Sequence, residues 1–354
     1  MLFRRVAFCA LALVWLALAA PAAAAAPGPS PAPSTSASRE PVVAPPPAAP
    51  HDHPGVRPLL TTAKAVGYLG LAVFVGGLAF LALLWPEGAW DRRVRQLMVA
   101  AWAAGTAAAV AGIALQGVYT AMRPLSDVTS PHVWGTVLDD HPGEVWAVKG
   151  LLWVLASVVL AWALRAGDRA VRRAPWRVAA LAVAFGLVRT TGMTSHATGT
   201  ARPFLSETAD VLHLTGASLW FGGLVILLLG VLRRRRPEEL AQVVPRYSML
   251  ALGCVLAIAA SGLVLAWQLV GSVSGLLDTS YGRLLLAKLA IFALVLGAAQ
   301  RSKRWVGGRL DLAVRRGGDA ATVRPFVYSV AIETALLSVV LVAATLLVTA
   351  APGR

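Results

Sequence analysis

Asp210 and His213 stand three residues apart in an apolar stretch that reads SETADVLHLTGASLWFGGL from Ser206 to Leu224. On a helix that spacing places both side chains on one face. The carboxylate could accept from one ring nitrogen and leave the other for a metal ion. Upstream, Met193 and His196 are also three apart and fall together if the preceding helix persists that far. Imidazole with thioether is a donor set suited to copper; thioether favours Cu(I), and imidazole serves both oxidation states. A zinc site would more often show cysteine or carboxylate at regular spacing. Cys9 and Cys254 both lie in apolar runs and form neither a disulfide framework nor a CxxC motif. There is no tight HxxxH-type pair, so on the residues alone a metal site and incidental loop histidines are both open.

Glu333 lies within the last apolar run, in IETALLSVVL. Its polar neighbours along that run are the hydroxyls of Ser329, Thr334 and Ser338, none of them charged. A carboxylate at that depth could relay a cation or proton, or accept from neighbouring hydroxyls. Glu144, Lys149, Arg189, Glu207, Arg283 and Lys288 also fall in apolar runs, in the outer third of their helices. They read either as ion pairs tying helices together, Asp210 with Lys288 for example, or as relay groups around His213.

The elements that must hold these residues follow from composition. The chain has 354 residues, 57% of them hydrophobic and only 14% charged, with a mean hydropathy of +0.68. That is a polytopic membrane protein, not a soluble domain. The net charge of +15 does not indicate nucleic acid, because the arginines cluster in short loops between apolar runs. Eight such runs are expected at roughly 62–85, 97–121, 144–164, 176–193, 207–232, 247–271, 283–300 and 326–350, each able to cross or nearly cross a bilayer. The fold class is therefore all-α, with eight transmembrane helices.

Residues 1–26 have the form of a secretory signal: Arg4 and Arg5, an apolar core, then small residues. An uncleaved first membrane helix is the other reading. Residues 27–58, rich in Pro, Ala and Ser, are expected to form a disordered exported linker. Its His51-Asp52-His53 could capture a metal loosely or be incidental. With the linker outside, the loops bearing Arg92, Arg93 and Arg95, Arg165 to Arg177, Arg233 to Arg236, and Arg301 to Arg324 face the cytoplasm, as positive-inside bias requires. All six histidines then lie on the outer side: His51, His53, His132, His141, His196 and His213.

The halves of the chain resemble one another. Gly70 followed by Phe74-Val75-Gly76-Gly77-Leu78 has the spacing of Gly216 followed by Trp220-Phe221-Gly222-Gly223-Leu224. Gly143 precedes Lys149 as Gly282 precedes Lys288. Two units of four helices, 59–193 and 194–354, would be parallel repeats. They differ at the chemistry: Lys64 and Gly67 stand where the second half has Asp210 and His213.

The chain resembles the copper resistance D (CopD) family of bacterial inner-membrane proteins. The resemblance is carried by Ser195-His196-Ala197, Leu212-His213-Leu214, Ala217 to Leu224, Ser261-Gly262, Tyr281 to Lys288, and Ser329-Val330 with Glu333. It implies copper moved from the periplasmic side across the membrane, often beside a small copper-binding partner, CopC. The resemblance makes His196, His213 and Met193 the expected metal ligands, with Asp210, Glu333 and Lys288 as supporting or relay groups, and copper as the ion handled. No nucleotide-binding loop is present, so transport would be passive or ion-coupled. Neither HExxH nor GxSxG is present, and no enzyme is expected. Two other readings stay open: a copper-binding assembly partner without net transport, and a haem electron carrier, for which only His213 lies clearly within a helix.

Overall fold

The computed structural model describes residues 56–120, 125–130, 141–193, 203–234 and 236–270, with parts of 282–300 and 327–341. All regular structure among these residues is helical. Helix α1 spans Val56–Leu83, α2 Arg92–Thr120, α3 His141–Ala166, α4 Ala174–Met193, α5 Pro203–Ile226 and α6 Pro237–Val270. Helical residues recur within 282–300, and Val330–Val339 forms a shorter apolar helix. The signal segment 1–26 and nearly all of the linker lie outside the described residues. Val56 to Pro58 belong to α1, so that helix begins inside the span expected to be linker; Pro58 is tolerated there because first-turn N–H groups need no intrahelical acceptor.

Among the described residues, five helices are long and apolar enough to cross a bilayer: Pro58–Leu83, Arg92–Tyr119, Glu144–Ala166, Pro203–Arg234 and Glu238–Gln268. The chain is thus an all-α, multi-pass membrane protein. Its outer surface confirms the solvent it is built for: Val158, Val178, Leu263 and Trp267 are 62%, 67%, 73% and 77% exposed. A helix keeps its backbone hydrogen bonds internal, so apolar side chains can face lipid at no polar cost. Helix α4, not among the five, carries Arg177 and Arg189, and both have fixed partners. Arg177 donates to the carbonyls of Val171 and Ala82, each at 2.9 Å, and Arg189 pairs with Glu207 at 2.5 Å.

Helices α1 and α5 form the centre. Helix α1 packs on α2 and α5, α5 on α6, and α3 on α2 and α4. The α1–α5 crossing is a backbone contact. A Cβ added at Gly76 would lie 2.7 Å from Gly222 Cα and run into the Ser218 carbonyl; one added at Gly222 would lie 2.8 Å from Gly76 Cα and run into the Ala72 carbonyl. Ala72-x-x-x-Gly76 and Ser218-x-x-x-Gly222 are therefore facing small-residue motifs, which let membrane helices approach this closely. Beside the crossing, Phe74 packs on Trp153 with ring centroids 5.4 Å apart, and Trp220 packs edge-on against Phe292 at 6.0 Å.

The arginine-rich ends are tied together. Arg234 Nε donates to Asp91 Oδ2 at 2.9 Å while its guanidinium lies 5.1 Å from the Trp85 ring centroid. Arg172 pairs with Glu87. Trp90 Nε1 donates to Asp168 Oδ1 at 2.8 Å, a bond that holds the Asp168 carboxyl below its ordinary range. Beside it Gly167 adopts φ +55°, where a side chain would be strained and would also strike the Trp90 ring. These arginines, read in the sequence as orientation signals, are also structural.

Candidate functional site

His213 lies a little under three turns into α5, partly buried, and its ring faces α6. Nδ1 is 3.2 Å from Ser261 Oγ. A Cβ added at Gly262 would sit 3.5 Å from His213 Cε1, so the imidazole lies along the Ser261-Gly262 surface. The hydroxyl of Ser261 has its own obligation: Oγ is 2.6 Å from the Ala257 carbonyl, a bond in which only the hydroxyl can donate. With its one proton committed there, Ser261 acts toward the imidazole as an acceptor. His213 therefore carries its proton on Nδ1. An outer partner that fixes the tautomer in this way accompanies most metal-binding histidines. Sequence reasoning gave that duty to Asp210 and used Ser261 only as a mark of resemblance. The signal was present: small residues at 261 and 262 give an imidazole from α5 a place to lie.

Asp210, one turn earlier on α5, leans toward α4 and α1. Its Oδ2 lies 2.5 Å from where a Gly192 Cβ would be, so Gly192 makes room for the carboxylate. The Asp210 charge also reaches Tyr68 on α1. Met193 follows Gly192 as the last residue of α4 and is partly buried, which brings the end of α4 against Asp210. His196, His51, His53, His132, Met122 and Lys288 lie outside the described residues, and His141 opens α3. Arg189 and Glu207 form an ion pair between α4 and α5.

Glu333 is buried, 5% exposed. Its partner is an indole: Trp220 Nε1 donates to Oε1 at 3.2 Å. The hydroxyls of Thr334 and Ser338 instead donate to the carbonyls of Val330 and Thr334, at 2.7 and 2.9 Å. Tyr247 on α6 donates to the Trp220 carbonyl at 2.6 Å. Trp220 thus connects the carboxylate of the last helix to α5 and α6. Along the α5–α6 seam the order is His213 beside Ser261, then Gly216 against the Cys254 carbonyl, then Trp220 beside Tyr247. No cluster of three or more His, Cys, Asp or Glu occurs among the described residues.

Fold and site together define a polytopic helical membrane protein with an imidazole held by a serine inside one span. Comparison with known proteins makes this specific. Residues 55–201 match the family description "Copper resistance protein D-like, N-terminal domain", and residues 241–347 match "Copper resistance protein D". The chain belongs to the copper resistance D (CopD) family. It is 31% identical over 244 residues to the copper transport protein CutJ of Bacillus subtilis, covering 66% of this chain and 44% of that one. It is 34% identical over 212 residues to copper resistance protein D of Pseudomonas syringae pv. tomato, covering 57% and 66%. It is 31% identical over 233 residues to the inner membrane protein YebZ of Escherichia coli, covering 64% and 74%. The chain thus spans under half of CutJ and about two thirds of the Pseudomonas protein. No solved structure matches.

Proposed function

We propose that this chain carries copper across the cytoplasmic membrane, inward from the exported side, and so contributes to copper homeostasis or resistance. The observation that carries the reading is the imidazole of His213, held by Ser261 at 3.2 Å inside a membrane span. In this reading His213, His196 and Met193 capture the ion at the outer face. Asp210 and Lys288 set the charge around it, and Glu333 with Trp220 and Tyr247 offers a deeper stop. Family membership supports copper as cargo, as do relatives named for copper transport and copper resistance. A small periplasmic copper-binding protein of the CopC kind is the partner that would load the outer face.

The same reading takes the chain as two parallel four-helix units, 59–193 and 194–354, behind a signal segment at 1–26 and an exported linker at 27–58. Three correspondences support it. Gly76 and Gly222, matched in sequence, meet each other. Gly70 packs on the α2 backbone at Gly105 as its match Gly216 packs on the α6 backbone at Cys254. Phe74 with Trp153 repeats as Trp220 with Phe292.

Purified protein in liposomes tests the transport reading. Wild type should bind copper and admit it, and His213→Ala should lose roughly tenfold or more of the affinity together with the flux. Unchanged binding and flux in His213→Ala would reject the role of that residue. Binding without flux in wild type would favour an assembly partner, and a Soret band would favour haem.

A further inference from the structure

Between α1, α2 and α3 lies a cavity of about 20 Å³, lined by Lys64, Gly67, Tyr68, Trp146, Lys149 and Trp153, among others. It occupies the place in the first half that the His213 region holds in the second. Gly67 stands at the matched position of His213 and lacks the ring that would fill the space, and Lys64 stands where Asp210 is found.

Its lining carries two ammonium donors and the hydroxyls of Tyr68 and Thr191, the latter donating to the Leu187 carbonyl at 2.7 Å. Lys149 Nζ lies 4.9 Å from the Trp146 ring centroid, a cation–π contact that relieves part of its burial. Neither Lys64 nor Lys149 has an ion-pair partner among the described residues. Trp153 is 1% exposed, and its Nε1–H is buried without an acceptor among the described residues. Buried indole N–H groups ordinarily find one. No lining side chain is a carboxylate. Two ammonium groups this close in a low-dielectric bundle repel, and each is costly to desolvate. A negative charge between them replaces that repulsion by two attractions and gives the orphaned indole an acceptor.

We propose that this cavity is a binding site for one halide-sized monovalent anion, chloride being the obvious occupant. A space of about 20 Å³ for water-sized particles suits a small ion. The site takes charge opposite to that of the metal site and stands apart from the copper reading; its failure would leave that reading untouched.

The test is ³⁵Cl NMR line broadening on the purified full-length protein in neutral detergent, with chloride titrated against gluconate at fixed ionic strength. Wild type should broaden the chloride line saturably, and bromide should reverse the effect. Lys64→Met/Lys149→Met should weaken chloride binding roughly tenfold or more, since charge-assisted hydrogen bonds are lost. Trp153→Phe, which removes only the indole donor and copies the Phe292 of the second half, should weaken it about threefold to tenfold without disturbing the fold. The proposal is overturned if wild type shows no saturable broadening. It is equally overturned if both variants bind as wild type does, or if inorganic phosphate displaces chloride as well as bromide does.

Discussion

His213 on α5 and Ser261 on α6 are joined through Nδ1 and Oγ at 3.2 Å, and Ser261 spends its own proton on the Ala257 carbonyl at 2.6 Å. The pair fixes which nitrogen of an intramembrane imidazole is basic. Replacing Ser261 by Ala should leave the helices packed but free the ring to turn and change tautomer. Copper affinity, measured by competition with a chromogenic Cu(I) chelator, is expected to fall about tenfold to a hundredfold. Ser261→Thr should retain most of it. Equal affinity in Ser261→Ala and wild type would show that the hydroxyl does not hold the ring.

Helices α1 and α5 touch through backbone atoms at Gly76 and Gly222. A methyl group at either position meets a carbonyl oxygen that cannot rotate away. Gly76→Ala and Gly222→Ala are each expected to cost about 1–3 kcal/mol through overpacking. Thermal unfolding in detergent checks this. The double variant should cost less than the sum, because the first methyl already separates the helices.

Glu333 and Trp220 can be separated chemically. Glu333→Gln keeps an acceptor for the indole N–H and removes the charge, whereas Glu333→Leu removes both. If the carboxylate is a relay, flux should fall in both variants while thermal stability falls only in Glu333→Leu. Full flux in Glu333→Gln would remove the relay role and leave a packing one.

Arg234 bonds Asp91 and Glu239 and covers the Trp85 ring, with its side chain 28% exposed and that of Asp91 14% exposed. Arg234→Lys preserves charge but loses the planar fork that serves both carboxylates and the ring. A loss of about 1–2 kcal/mol is expected, and more in Arg234→Ala, read from thermal unfolding.

Asp168 carries the pH dependence that the structure supports. The Trp90 N–H bond, then the backbone N–H of Arg169 and the Arg172 and Arg169 charges, hold its folded pKa below the ordinary value of 3.8. A carboxyl with depressed folded pKa contributes stability that is present above its unfolded pKa and lost as pH falls through the folded one. Trp90→Phe should therefore lower stability at neutral pH and shrink the further loss on acidification below about pH 4, so that the two proteins converge at low pH. Unfolding midpoints of the two proteins across that range provide the check.

Much of the fold was legible because lipid imposes a simple rule on sequence. The first six apolar runs coincide with α1 to α6 within a few residues, apart from the α6 start. Pro237, ten residues before the expected start at 247, opens α6, because Glu238, Glu239 and Arg246 are compatible with helix once they lie outside the apolar zone. The chemistry was legible in part. His213 announced itself as a costly group in an apolar run. Ser261, which meets its Nδ1, lies 48 residues away, and Trp220, which meets Glu333, lies 113 away. One sequence cannot reveal such pairings, since serine and tryptophan have ordinary reasons to occur in membrane helices. The arginines were read by count, and count says nothing of which carboxylate or ring each would meet.

The Gly76–Gly222 crossing carries a mechanical corollary. Where two rods touch bone to bone, neither can slide past the other without first parting, so this junction is suited to serve as an axle. Any opening that admits an ion from one side and releases it to the other would fall to the outlying helices swinging about it. Spin labels placed at either end of α1 and α5 should then report a separation that copper leaves unchanged.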